Sequence, residues 1–426
     1  MRQPPLYLLA ALVVGILPLL RSAAPSIEGA YSTGPQTTRA TPATMSAQYS
    51  VASLSGARLP NPSAVEKAVR FIQTLQPEGT YILTSAGSYD VVHMDVAHSA
   101  IALAKVGHGG DAKGAMDWLL GQMTLAGSPE RYRPASVDGA THVFDYAGSW
   151  WDHYRPDGEP RRDLTRGRGE GVGMVLIATY SIFQEDPSYL RHRINGVSVI
   201  DRVALAARYL AGPAIQKEDG QFNHRPDYQV SFGEEGARMI LGLRLASDML
   251  AAQGRLEESA QAADHAERGL AALLRRDDIN EGMAFDYYAL SIWGMATPEQ
   301  AHEEFSSVRE AELLSPDGVR NWDWQIDKAK SLLNRLRWWA TSQSIAPAQT
   351  FDWAIANVTM GNVEEARRIE QRWLPLQRDD GGFSGVYLPG LKAGFGEPTS
   401  YTAARFILLE RMLAEARAQE RSLITN

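Results

Sequence analysis

"IQKEDGQFNHRPDYQVSFGEEGARMILGL", residues 215–243, runs through a Gln, a Gly-containing turn, an aromatic, a loop, an acidic residue and a strongly apolar segment. The same order recurs in "LQPEGTYILTSAGSYDVVHMDVAHSAIALA" from Leu75 and in "LQRDDGGFSGVYLPGLKAGFGEPTSYTAARFILLE" from Leu376. Phe-Gly-Glu appears in two of the three, at Phe232 and Phe395, and "RGRGEGVGMVLIATY" (166–180) adds a Gly-Glu at Gly169–Glu170. A second set of echoes lies between them: "FDYA" at Phe144, "FDYYALSIW" at Phe285 and "FDWAIA" at Phe351. A recurring piece of this kind buries its apolar face only against its neighbours.

Two kinds of helical segment alternate along the chain. The segments 63–76, 112–125, 200–213, 259–275, 325–342 and 363–377 are amphipathic; in the fourth, Ala262, Ala263, Ala266, Leu270, Leu273 and Leu274 fall on one stripe. The segments 91–106, 170–184, 234–251, 286–295, 352–360 and 399–416 are apolar nearly all round and call for burial. Sustained period-two runs are missing, so strand signals are weak. Six half-exposed helices alternating with six buried ones predict an all-α fold, an (α/α)6 toroid of six helical hairpins around a central funnel. An open superhelical solenoid of the same hairpins is the structural alternative.

The toroid is expected over residues 61–417. Ahead of it, "MRQPPLYLLAALVVGILPLLRSAA" has the layout of a secretory signal, with an apolar run shorter than the ~20 residues of a spanning helix. Pro25 after Ala24 makes an awkward cleavage site, so residues 1–24 are read as a signal peptide or an uncleaved membrane anchor. Residues 25–60, rich in Ser, Thr, Pro and Ala, read as a flexible linker, and 418–426 as a C-terminal tail. Export to the periplasm or the extracellular space follows as an expectation. The chain has no cysteine, which removes thiolate metal sites, disulfides and a cysteine nucleophile. A net charge of -8 argues against general nucleic-acid binding.

In a toroid the buried helices begin around one end of the funnel, and acids recur at those starts: Asp90 or Asp95, Glu170, Glu234, Asp286, Asp352 and Glu397, with Asp145 in the loop before the second. Any one of them is well explained as a helix N-terminal charge, worth about 0.3–1 kcal/mol. Together they would ring one cavity. Aromatics crowd two loop stretches, "FDYAGSWWDHYRPDGEP" (Phe144, Tyr146, Trp150, Trp151, Tyr154) and "NWDWQID" (Trp322, Trp324). Flat rings beside carboxylates suit sugar binding, although Trp more often simply packs. Arg155, Arg161, Arg162, Arg166 and Arg168 precede Glu170; arginine forks of this kind hold acidic groups unless they merely solvate a loop. His93 and His98 flank Asp95 at a spacing that does not suit a shared metal, so no metal site and no cofactor are expected.

The alternation resembles the six-hairpin carbohydrate-active enzymes, glycosidases and polysaccharide lyases that place acidic and aromatic residues at the mouth of an (α/α)6 barrel. "EGVGM" at Glu170–Met174 is similar to the Glu-Gly-x-x-Tyr-Gly-Met stretch of family 8 endoglucanases, without its Tyr and one residue shorter. "RGEGVGM" is similar to the Arg-Gly-Asn-Gly-Trp segment of unsaturated glucuronyl hydrolases, with Glu170 in place of the Asn. "IQKEDGQF" and "LQRDDGGF" resemble the repeats of terpenoid cyclases and prenyltransferase β-subunits, whose Asp-x-Asp-Asp acid and zinc ligands are absent here.

The expected function is an exported, monomeric glycoside hydrolase acting on a polysaccharide or oligosaccharide, acidic in character if the arginines bind it. Such chemistry needs one protonated and one ionised carboxyl. The expected catalytic set is Glu170 as acid with Asp286, then Asp95, as base or nucleophile. The expected sugar contacts are Trp150, Trp151, Tyr146, Asp145, Glu234, Trp322, Asp352 and Arg168. Three alternatives stay open: a polysaccharide lyase using His93 or Tyr146 as base, a terpenoid-cyclase-like enzyme, and a non-catalytic glycan-binding surface protein.

Overall fold

In a computed structural model, residues 58–88, 90–125, 129–132, 142–162, 166–226, 233–274, 314–315, 318–319, 344–389 and 392–425 are described. Ten helices are found among them. Five are the amphipathic ones: α1 (Pro62–Thr74), α3 (Gly109–Gly121), α5 (Val199–Ala211), α7 (Leu256–Leu274) and α9 (Val363–Trp373). Five are the apolar ones: α2 (His93–Lys105), α4 (Gly169–Glu185), α6 (Gly233–Ala252), α8 (Pro347–Thr359) and α10 (Ser400–Thr425). The expected helices 286–295 and 325–342 lie outside the described residues. Strands are short antiparallel pairs, and the one that matters below joins β1 (Val91–Val92) to β2 (His153–Tyr154). No described helix is long and apolar enough to cross a membrane.

The apolar helices pack on one another in order: α8 on α10, α10 on α2, α2 on α4, and α4 on α6. The amphipathic helices lie outside, each against an inner neighbour, as α7 does on α6 and α1 on α10. Contact of the last inner helix with the first closes the chain on itself, which an open solenoid would not do. The fold is the all-α toroid.

The recurring Gln explains how the hairpins are stapled. Gln76 Nε2 donates to Thr80 O inside its own turn (3.0 Å) and to Asp111 O of α3 (2.8 Å). Gln216 donates to Gly220 O (3.3 Å) and to His265 O of α7 (2.9 Å). Gln377 donates to Gly381 O (2.9 Å) and to Ala64 O of α1 (3.0 Å). Each amide therefore holds its turn against the next outer helix, and the last one reaches the first. Glycine is required in the third turn: Gly381 has φ +92°, and a Cβ there would lie 2.0 Å from Lys67 O.

Two boundaries differ from the expectation by five residues or more. α8 starts at Pro347 rather than near 352, since proline suits the first helical turn, where its missing N–H costs nothing. α10 runs to Thr425, so the segment expected as a tail is helical through nearly all its length.

Candidate active site at the inner-helix mouth

The glycines around Glu170 serve packing. A Cβ on Gly171 would fall 1.6 Å from His93 Nε2, and one on Gly173 would fall 2.5 Å from Arg238 O. A Cβ on Gly242 of α6 would sit 2.8 Å from Gly173 Cα, so α4 and α6 touch backbone to backbone. Glycine thus lets α2 and α6 close on the start of α4, where Glu170 is buried with 4% of its surface exposed.

Both oxygens of Glu170 are held. Oε1 pairs with Arg168 Nη2 at 2.6 Å and Oε2 with Arg238 Nη1 at 2.8 Å. Burial alone would raise its pKa, but the guanidinium groups of Arg238 and Arg168 outweigh that and keep it below the ordinary value. Arg168 also lies 3.8 Å from Asp152 Oδ2 and 3.7 Å from Glu235 Oε1. Three carboxyls therefore surround one half-buried arginine.

The other two carboxyls behave oppositely. Burial pushes Asp152 up to about 7, against the pull of Arg168. Burial and then the charge of Glu170 raise Glu235, whose Oε2 lies 2.6 Å from His224 Nδ1. Asp152 is positioned by the β1–β2 pair: its carbonyl accepts from the His93 backbone N–H (3.3 Å) and from His93 Nδ1 (3.1 Å). Burial draws His93 down to about 4, so it is neutral, with its proton on Nδ1. A histidine so engaged makes a poor base.

The remaining expected residues divide clearly. Trp150 is 1% exposed and donates Nε1–H to Leu119 O at 2.8 Å, and Tyr146 is 4% exposed; both are core, which corrects their reading as sugar contacts. A tryptophan flanked by loop residues still packs when its N–H finds a carbonyl. Trp151 is half-buried, and Arg166 lies over its ring at 5.1 Å and over that of Tyr146 at 4.4 Å. Asp145 is exposed and accepts from Ala147 N–H in its own turn. Asp95, half-buried in the first turn of α2, is pushed up to about 6 by desolvation. Asp352 is buried and pairs with Arg405 of α10 at 2.8 Å, while Tyr401 OH donates to its other oxygen at 3.2 Å. Glu397 clamps the first hairpin's loop, accepting from Ser85 Oγ and Gly87 N–H. Asp90 pairs with Arg161 at 2.6 Å. Asp286, Trp322 and the side chain of Glu234 lie outside the described residues.

Asp152, Glu235, His224 and Arg238 belong to the cluster although the sequence reading did not select them. Asp152 had a signal, since it directly follows Trp151 in the loop leading to Glu170. Glu235 stood beside Glu234, and no periodicity could favour one over the other. Oxygens of Glu170 and Glu235 and a ring nitrogen of His224 lie within 4.8 Å of one another. A divalent ion there would have to displace two guanidinium groups from Glu170, so the donor set does not favour one.

No protein-family model matches the chain, and no curated protein sequence does. Solved structures do share its fold. A glycosidase variant in complex with glucose superposes with TM-score 0.61 at 15% identity, covering 82% of this chain and 96% of that one. A bacterial glucoamylase complexed with acarbose gives 0.56 at 11% identity, covering 84% of this chain and 57% of that one. A rhamnosidase from Klebsiella oxytoca with rhamnose bound gives 0.50 at 10%, covering 83% and 64%. The architecture is that of these six-hairpin glycosidase-type structures; at such identities the likeness speaks for the fold.

Proposed function

We propose that the protein is an exported glycoside hydrolase whose proton donor is Asp152. The observation that carries this reading is the split between neighbours: Asp152 is raised to about 7 while Glu170, held by the same Arg168, is lowered. Adjacent carboxyls pushed apart in proton affinity are what glycosidic cleavage requires, one to protonate the leaving oxygen and one to face the positive charge growing on the sugar. Glu170 changes role accordingly, from acid to ionised partner. Asp95 and Asp286 remain the two choices for the carboxylate that activates water.

The glycosidase fold supports carbohydrate as the substrate class, and the apolar N-terminal stretch supports export. Three of the five arginines in the loop before Glu170 are engaged by the chain's own groups, which weakens the case for an acidic substrate. Arg161 is paired with Asp90, Arg166 is stacked on two aromatic rings, and Arg168 is shared among three carboxyls.

The test is the protein without its first 24 residues, incubated with a panel of neutral and acidic oligosaccharides while new reducing ends and ultraviolet absorbance are followed. Reducing ends without absorbance are expected, and they should vanish in Asp152→Asn. Absorbance from unsaturated products would replace hydrolysis by elimination. Reducing ends undiminished in Asp152→Asn would remove Asp152 from the donor role.

A further inference from the structure

Arg168, the residue just before α4, keeps a third of its side chain in solvent, while the carboxyls around it are nearly covered. Its guanidinium carries Nε–H and one Nη2–H along the same edge, a fixed fork that ordinarily grips both oxygens of one carboxylate. Here the fork is split between two residues. Nη2 pairs with Glu170 Oε1 at 2.6 Å, while Nε stands 3.8 Å from Asp152 Oδ2. That Nε is buried and has no hydrogen-bond partner among the described residues.

The gap to Oδ2 is about 1 Å longer than an ordinary N–H···O bond. It suits an Asp152 that holds its proton, because a neutral carboxyl draws a guanidinium far less than a carboxylate does. No other acceptor competes for the place. Both oxygens of Glu170 are taken, one by Nη2 and the other by Arg238 Nη1 at 2.8 Å. Glu235 approaches the guanidinium at Nη2, 3.7 Å away.

We propose that Arg168 is the positioning residue for proton donation by Asp152, its idle Nε–H closing on Oδ2 as the acid becomes a carboxylate. In that step the Asp152 O–H bond breaks and the proton goes to the glycosidic oxygen, which also takes the electron pair of the breaking C–O bond. Water adds its oxygen to the sugar carbon and gives a proton to the carboxylate that activates it. The negative charge left on Asp152 is met by Nε–H, with Nη2 still on Glu170. The part played in donation rests on the hydrolase reading. The closing of Nε–H on an ionised Asp152 does not, and it is measured without substrate.

The experiment labels the arginine nitrogens of the protein and follows the Arg168 Nε–H by NMR, with Arg168→Lys identifying the resonance by removing it. The proton should move downfield as pH rises through about 7, the mark of a hydrogen bond being made. It should stay still in Asp152→Asn. That variant is the control because Glu170, His224, Arg225 and Tyr154 also face Asp152, His93 holds its carbonyl, and Glu235 faces Arg168. A resonance that never moves, or moves equally in Asp152→Asn, would overturn the proposal. In turnover, Arg168→Lys should cut kcat about 10–100-fold with KM little changed, the worth of one hydrogen bond to a charged group. Arg168→Met, which also loses the charge that pulls Asp152 down, should move the descending limb of kcat/KM up by about one pH unit or more, and Arg168→Lys should return it. A merely structural arginine would lower Tm and leave the limb in place, and an unaltered kcat in both variants would overturn the proposal as well. The titration needs Arg168 intact, so it decides the closing even if Arg168→Met does not fold. A shifting Nε–H in a protein that releases no reducing ends from any oligosaccharide would sink hydrolysis and leave the Arg168–Asp152 closing standing.

Discussion

Gln377 donates its side-chain amide to the carbonyl of Ala64, 313 positions earlier in the chain, at 3.0 Å. The bond repeats what Gln76 and Gln216 do within the chain's own succession of hairpins. Gln377→Ala should therefore destabilise the fold as Gln216→Ala does, each by roughly 1–3 kcal/mol because two carbonyls lose their donor. Urea midpoints of the two variants check this. A silent Gln377→Ala beside a damaging Gln216→Ala would mean that the ring does not close in solution.

Asp152 must keep its proton to act as donor, and it does so below about 7. Activity should accordingly fall as pH rises through about 7, read in kcat/KM, which follows the free enzyme. Asp152→Asn should abolish that descending limb and lower turnover about 10²–10⁴-fold. A profile that stays flat to pH 9 would assign the proton to another group.

The helix alternation was legible because burial leaves a periodic trace. All five described inner helices and all five described outer ones fall where the pattern of apolar residues sets them. Ring closure was less visible, since it depends on which carbonyl Gln377 finds. The site divides in the same way. Glu170 stands out in the sequence by its glycines and by Arg168 close before it, but the larger share of the charge that keeps it ionised comes from Arg238, 68 positions away, which no local pattern reveals. Trp150 shows the converse, where an eye-catching pair of tryptophans contributes one ring to the core.

Gly171→Ala would place a methyl within 1.6 Å of His93 Nε2, so either α4 or the imidazole must move. A loss of about 1–3 kcal/mol is expected from such overpacking. His93 also holds the Asp152 carbonyl, so turnover should fall by more than stability explains. Comparing Tm with kcat/KM for this variant checks both parts.

Glu370 of α9 and Glu410 of α10 are buried together, 2% and 0% exposed, around Asn61 at the entry to α1. The Asn61 side-chain amide donates to both, and its backbone N–H to Glu410 at 2.9 Å. Burial, then the charge of Glu410, push Glu370 up to about 8, above the value of about 4.3 for an unfolded chain. The folded state thus holds this proton more tightly. Its stabilising share is full below the unfolded value and is lost as pH rises to about 8. Glu370→Gln should match the wild type at pH 4 and be the more stable at pH 9, with the gap opening between. Equal urea midpoints at pH 9 would show that the folded state does not hold the Glu370 proton more tightly.

A ring whose last inner helix lies against its first leaves no hairpin with a finished surface until α10 is in place. An emerging polypeptide would hold α1 and α2 with their apolar sides waiting for partners encoded more than 300 residues later. Such a chain assembles late and all at once, and until then it depends on whatever shields nascent apolar surface in the cell.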